Sequence, residues 1–345
     1  MAQKSGGITS ANEPTDKRRA RCSSLSGTWV LLLPVGIVLA GCTRSATDAT
    51  EAAVRYPTGI EYHQAASRLL VSSYDDGAVE EIALDGEGPH RHRLVLAGHQ
   101  DGIQRALRIK LDAMRDRLWL LDRGHVYIYQ VATWRFVRQV ALPGWTLALD
   151  NCLPDMAVDR SGAAFISSNV VPMLWRIDPD TFEVTVYVIE LDAGQDKDSG
   201  ISAITFSTDD GTLFAASASI GYLWRIDTAT RMAHKVQLTY PVKGACALMI
   251  QSDRRLTPRS QALPHSQALF VSGGFSNGLL RIDLSPDLER GYVMKILAGD
   301  AADVPIGMAF VGQILVLASS QLSRHPDYSG NGNPALPFRI LPLFP

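Results

Sequence analysis

Three groups of side chains have types and spacings that could do chemistry. In Asp327-Tyr328-Ser329-Gly330-Asn331-Gly332-Asn333, the oxygens of Asp327, Ser329 and Asn331 alternate ahead of a glycine. This is the spacing at which side chains turn inward on Ca2+. The twelfth position of such a loop, where a bidentate acid belongs, is Phe338, so the site would be weak, and the competing reading is a Gly/Asn turn. His90 and His92 fall on one side of an extended segment, with His99 nearby. The adjoining Gly86-Glu87-Gly88-Pro89 turn marks that region as a solvated edge, and no acid is placed to complete a hydrolytic site. The chain has no Ser–His–Asp signature, nucleophile elbow, phosphate-binding glycine loop or zinc spacing. No cofactor other than this weak Ca2+ loop is indicated.

The third group is an address. Lys17-Arg18-Arg19-Ala20-Arg21 precedes an uncharged apolar run, Leu25 to Leu39, interrupted by Pro34. The run is short for a membrane span and suits a secretory signal. It ends in Leu39-Ala40-Gly41-Cys42, which looks like a bacterial lipobox: cleavage before Cys42 leaves a thiol to take diacylglycerol. The expected organisation is a signal peptide over 1–41, a small polar tether over 42–53 and a folded domain over 54–345. Thr43, rather than Asp, follows the cysteine. In a Gram-negative cell that resemblance implies sorting to the outer membrane, facing the periplasm, an oxidising compartment.

These groups must be positioned by the repeats that fill the rest of the chain. Leu174-Trp175-Arg176-Ile177-Asp178 returns as Leu223-Trp224-Arg225-Ile226-Asp227, and in shorter form as Leu280-Arg281-Ile282-Asp283. Each follows an apolar run such as Ala164-Phe165-Ile166-Ser167. The runs centre on Leu70, Trp119, Phe165, Phe214, Phe270 and Leu315, at separations of 49, 46, 49, 56 and 45 residues. Short strands at such a period predict an all-β, six-bladed β-propeller of four-stranded blades. The Trp and Ile of the repeat should pack between blades, with Arg and Asp at solvent or capping the next turn. Blade six carries a long loop before Phe338 and lacks a fourth strand, so the segment near Ala52-Ala53-Val54-Arg55 should close the ring. Cys152 and Cys246 begin blades three and five. A bridge between them would have to cross the channel, so both are expected to be free core thiols.

Pro154-Asp155-Met156-Ala157-Val158-Asp159-Arg160-Ser161-Gly162 and Ile204-Thr205-Phe206-Ser207-Thr208-Asp209-Asp210-Gly211 resemble strand–turn units of the senescence-marker-protein, gluconolactonase and luciferin-regenerating family. Arg117-Leu118-Trp119-Leu120-Leu121-Asp122-Arg123-Gly124 resembles the Yellow/major royal jelly family more weakly. The first resemblance implies a divalent cation held by a Glu, two Asn and an Asp at blade starts. The corresponding positions here are Thr58, Pro154, Ser202 and Ala245. None matches, and Glu61 and Asp155 are offset, so the usual metal site is expected to be absent.

The formal charge of -2 and the scattered Lys and Arg give no footprint for nucleic acid. The channel mouth is expected to be lined by Thr58, Arg105, Asp155, Ser202 and Lys243, a polar set of both signs suited to a small anionic or sugar-like ligand. The sequence therefore reads as a lipoprotein anchored through Cys42, whose propeller binds a small ligand or an envelope protein without catalysis. Two alternatives stay open: a diverged metal-dependent lactonase-like hydrolase and an envelope assembly scaffold.

Overall fold

Twenty-six short strands carry the described part of the chain. The computed structural model describes residues 50–52, 54–84, 91–149, 152–191, 200–251, 267–273, 278–297, 305–328, 330 and 332–343. Cys42, His90, Ser329 and Asn331 lie outside them. The first strand, β1 (Thr50–Ala52), is held back for the last sheet. Blade one is β2 (Pro57–His63), β3 (Arg68–Ser73), β4 (Ala78–Ala83) and β5 (His92–Ala97). Blade two is β6 (Arg108–Asp112), β7 (Arg117–Asp122), β8 (His125–Gln130) and β9 (Arg135–Ala141). Blade three is β10 (Met156–Val158), β11 (Ala164–Ser167), β12 (Met173–Ile177) and β13 (Val184–Val188).

Blade four begins with a two-residue strand, β14 (Glu190–Leu191). Its four main strands are β15 (Ala203–Phe206), β16 (Leu213–Ala216), β17 (Leu223–Ile226) and β18 (Met232–Lys235). Blade five likewise has β19 (Gln237–Leu238) before β20 (Ala247–Ile250), β21 (Ala268–Ser272), β22 (Leu279–Leu284) and β23 (Arg290–Leu297). Both extra strands pair in parallel with the outermost strand of their blade, making five-stranded sheets. Blade six is β24 (Pro305–Val311), β25 (Ile314–Ser319) and β26 (Phe338–Leu343), with β1 on its outer edge. Each blade is otherwise an antiparallel meander, and the whole is a six-bladed β-propeller.

Ring closure follows the expected route, with the paired residues slightly earlier than the sequence suggested. Thr50 stands opposite Ile340 and Ala52 opposite Phe338. The repeat explains the rest of the packing. Trp175 and Trp224 are fully buried between blades, as are Ile177 and Ile226. Burial of a side chain as large as Trp contributes about 4–6 kcal/mol before entropy is counted. The Trp175 indole also donates to the Pro143 carbonyl of the preceding blade at 2.8 Å. The repeat aspartates cap the outer hairpins. Asp178 Oδ1 accepts the Asp180 and Thr181 amides, and Asp227 Oδ1 those of Ala229 and Thr230. These amide hydrogen bonds hold both carboxyls below the usual range. No helix among the described residues is long and apolar enough to cross a membrane.

Candidate functional site

The inner strands β2, β6, β10, β15, β20 and β24 are each the first main strand of their blade. In an antiparallel meander, the start of the first strand and the turn between the second and third lie at the same edge. Thr58, Arg105, Asp155, Ser202 and Lys243 therefore share one face with the turns after β3 and β7 and with the long loop between β25 and β26. This is the loop face, and it has two layers.

The inner layer closes the axis. Thr58, Arg108, Asp155 and Ser202 are all buried. Thr58 Oγ1 donates to the Ala106 carbonyl at 2.5 Å, joining blades one and two. Arg108 Nε donates to Asp155 Oδ1 at 3.1 Å, joining two and three. Asp155 Oδ2 accepts the Ile204 amide at 3.0 Å, joining three and four. Ser202 Oγ donates to the Ala245 carbonyl at 2.7 Å, joining four and five. The remaining Arg108 donors reach the Thr58 and Leu107 carbonyls and, at 2.7 Å, that of Cys246. Burial pulls the guanidinium below its ordinary value and Asp155 opposes it. Thr58, Asp155 and Ser202, expected to line the channel mouth, are thus each committed to a neighbouring blade.

One expectation is overturned here. Cys152 and Cys246 form a disulfide, with Cα atoms 4.9 Å apart. The inner strands converge so closely at their starts that blades three and five touch across the axis, and the distance that seemed prohibitive does not exist. The same convergence leaves Gly59 no room for a side chain, since a Cβ there would lie 2.7 Å from Ile109 Cγ1.

Beneath this plug lies a cavity of about 20 Å³ lined by Glu61, Lys110, Met249 and Met308 among others. It has room for about one water, and none for a sugar or a cofactor. Lys110 Nζ pairs with Glu61 Oε1 at 2.9 Å. Burial opposes the charge on Lys110, but Glu61 and Asp155 outweigh it and raise its pKa. Among the described residues, no three His, Cys, Asp or Glu side chains converge as a metal site.

The outer layer sits above the plug, where the long loop folds inward. Gln321 ties the loop's base by exchanging hydrogen bonds with Ala335 in both directions, at 2.8 and 2.7 Å. A Cβ on Gly330 would lie 2.2 Å from the Arg324 carbonyl carbon, so this close turn requires glycine. The turn delivers His325, Asp327 and Tyr328 onto blades one and two. His325 packs edge-on against Tyr56 and Tyr74, with ring centroids at 4.7 and 4.9 Å. Its Nδ1 accepts the Asp327 amide at 3.1 Å, which puts the ring proton on Nε2, facing Asp75 Oδ1 at 3.3 Å.

Asp327, expected to be a calcium ligand, turns toward cations and a phenol instead. Its Oδ2 accepts from Tyr74 Oη at 2.9 Å and faces Arg123 at 3.5 Å and Arg105 at 3.6 Å. Burial and the Asp327 charge push the Tyr74 phenol far up, so it stays a donor. Asp75 pairs with Arg55 at 3.1 Å and accepts, through its backbone carbonyl, from Arg105. Asp122 sets Arg105 in place by accepting the Gln104 and Arg105 amides. The cluster joins three arginines to two carboxylates. Two of those arginines remain open to solvent, the Arg55 and Arg123 side chains being 54% and 44% exposed. Lys243 is exposed on the same face at the start of blade five.

Sequence reasoning placed Arg105 at this face and missed Arg55, Tyr74, Asp75, Arg123 and His325. Arg108 and Lys110 gave a signal that could have been read: two cations at i and i+2 in a first strand, where the first strands of the other blades carry no Lys or Arg.

No protein-family model matches the chain, and no curated protein matches it by sequence. Solved structures do. The Malassezia sympodialis allergen Mala s 1 aligns at TM-score 0.57 and 12% identity over 86% of this chain and 96% of that one. A streptogramin B lyase aligns at TM-score 0.54 and 12% identity over 78% and 79%. At that identity the likeness is one of fold.

Proposed function

We propose that this chain is a non-catalytic binding protein of the bacterial cell envelope, tethered by lipid on Cys42, whose loop face takes a small anionic ligand. The observation that carries the reading is the pair of solvent-open guanidinium groups, Arg55 and Arg123, above an axis that the chain closes with its own side chains. Guanidinium forks suit carboxylate and phosphate geometry. Asp75 and Asp327 hold the roots of the cluster. The resemblance of the strand–turn segments 154–162 and 204–211 to those of the gluconolactonase family is the reason to try a sugar acid as ligand. The lipobox-like Leu39-Ala40-Gly41-Cys42 supports the envelope location.

Calorimetric titration of the chain with gluconate and with citrate tests this. Binding that weakens about tenfold in Arg123→Ala and again in Arg55→Ala is expected, at the strength of a charge-assisted contact. Affinity indifferent to both substitutions would reject the site. Hydrolysis of gluconolactone that is lost in Thr58→Ala or Asp155→Ala would replace this reading with the hydrolase.

A further inference from the structure

The outer flank between blades one and two carries a groove of about 550 Å³. Its wall on blade two is the outer hairpin: Tyr127 and Tyr129 from β8, Phe136 and Gln139 from β9, and Trp134 from the turn between them. Its wall on blade one is the short turn ending in Asp101 and Gly102. The rings are held in place. Tyr127 Oη donates to the Gly102 carbonyl at 3.0 Å and accepts from Gln139 at 3.1 Å. The Trp134 indole donates to Glu81 at 3.2 Å. Tyr129 and Phe136 stand 5.7 Å apart and inclined by 66°. They therefore form corner walls and not a flat stacking platform. Phe136 is 49% exposed.

The rest of the propeller shows what such rings normally receive. Arg231 lies over Tyr187 at 4.4 Å, Lys235 over Tyr222 at 3.2 Å and Arg117 over Phe182 at 5.5 Å. These three aromatics of blades three and four are thus capped by the chain's own cations. Among the described residues, no Lys or Arg lines the blade-one groove, and its one charged group is the Asp101 carboxylate. Asp101 Oδ2 accepts the Ala97 amide at 2.7 Å, and the residue is exposed. Burial and the Asp101 charge push the Tyr129 phenol up to about 12, so that hydroxyl remains neutral beside the acid.

We propose that this groove is a binding site for an organic cation, a quaternary or methylated ammonium head group. Inclined aromatic walls with a single carboxylate favour a bulky, weakly hydrated charge. A metal ion would want several hard oxygens, and the groove offers one carboxylate. Neither the loop face nor the anion it is proposed to take enters this site.

The test is titration of the full chain with choline and with tetramethylammonium, alongside the neutral isostere 3,3-dimethylbutan-1-ol, read by calorimetry and saturation-transfer NMR. Both cations should bind, and the isostere should bind about tenfold more weakly or not at all. Asp101→Asn and Phe136→Ala should each cost about fivefold to tenfold in cation affinity while the melting temperature holds. Phe136 is half exposed, so its variant should fold. Equal binding of the isostere, affinity unchanged in both variants, or no cation binding would overturn the site. Sedimentation with phosphatidylcholine or phosphatidylglycerol vesicles separates the sources: choline-competed retention on the former alone identifies a lipid head group, and its absence a free ligand.

Discussion

Arg108 commits all of its side-chain nitrogens to protein. Its guanidinium ties blades one, two, three and five through Thr58, Leu107, Asp155 and the Cys246 carbonyl. Removing either partner of the buried ion pair would strand the other's charge. Arg108→Ala or Asp155→Ala should therefore lower unfolding free energy in urea by about 3–5 kcal/mol. Thr58→Val and Ser202→Ala, which lose neutral hydrogen bonds, should cost only about 1–2 kcal/mol each. At this scale the sequence was half legible. The polar character of Thr58, Asp155 and Ser202 at the inner strand ends could be read directly. Whether each meets water, a ligand or the next blade depends on how far the strands converge, and no residue identity encodes that distance. The same gap hid His325, whose partner Asp75 lies 250 positions away.

At the scale of elements, the joint that closes the ring is the pairing of β1 with β26. Among the described residues, the three of β1 supply the pairing for the outer edge of the last sheet. Removing residues 50–52 should leave the outer edge of β26 unpaired and lower the melting temperature of the whole propeller in one cooperative step, visible by calorimetry. A truncated chain that melts unchanged would show that closure does not depend on this strand. The need for a donated strand could be read from blade six, which offers three strand-like runs of its own, and the strand's register could not. Nor could β14 and β19, since a two-residue parallel pairing leaves no periodic trace. The Trp-Arg-Ile-Asp repeat was readable in full, because period, burial and turn capping all follow from local pattern.

For the whole molecule, the disulfide between Cys152 and Cys246 encloses a loop of 94 residues. By chain entropy such a loop stabilises by about 4–5 kcal/mol. The Cys152→Ser/Cys246→Ser double variant, or the chain in dithiothreitol, should lose a stability in the range of about 2–5 kcal/mol by denaturant titration. A loss near zero would show that the axial packing alone sets the ring. The expectation of two free thiols failed because it assumed an open, wet channel. The axis here is a plug, and its residual cavity has room for about one water.

That bridge also changes what a cut can do. The chain between Cys152 and Cys246 is a covalent ring containing all the strands of blades three and four. A protease that nicks any one bond inside it releases nothing until the disulfide is reduced. Outside the ring, the described residues of the first and last blades are held together without a covalent bond, by the pairing of β1 with β26 and by the packing of His325 and Phe338 on Tyr56. Damage on one side of the molecule is therefore held in place, while on the other it can unclasp the circle.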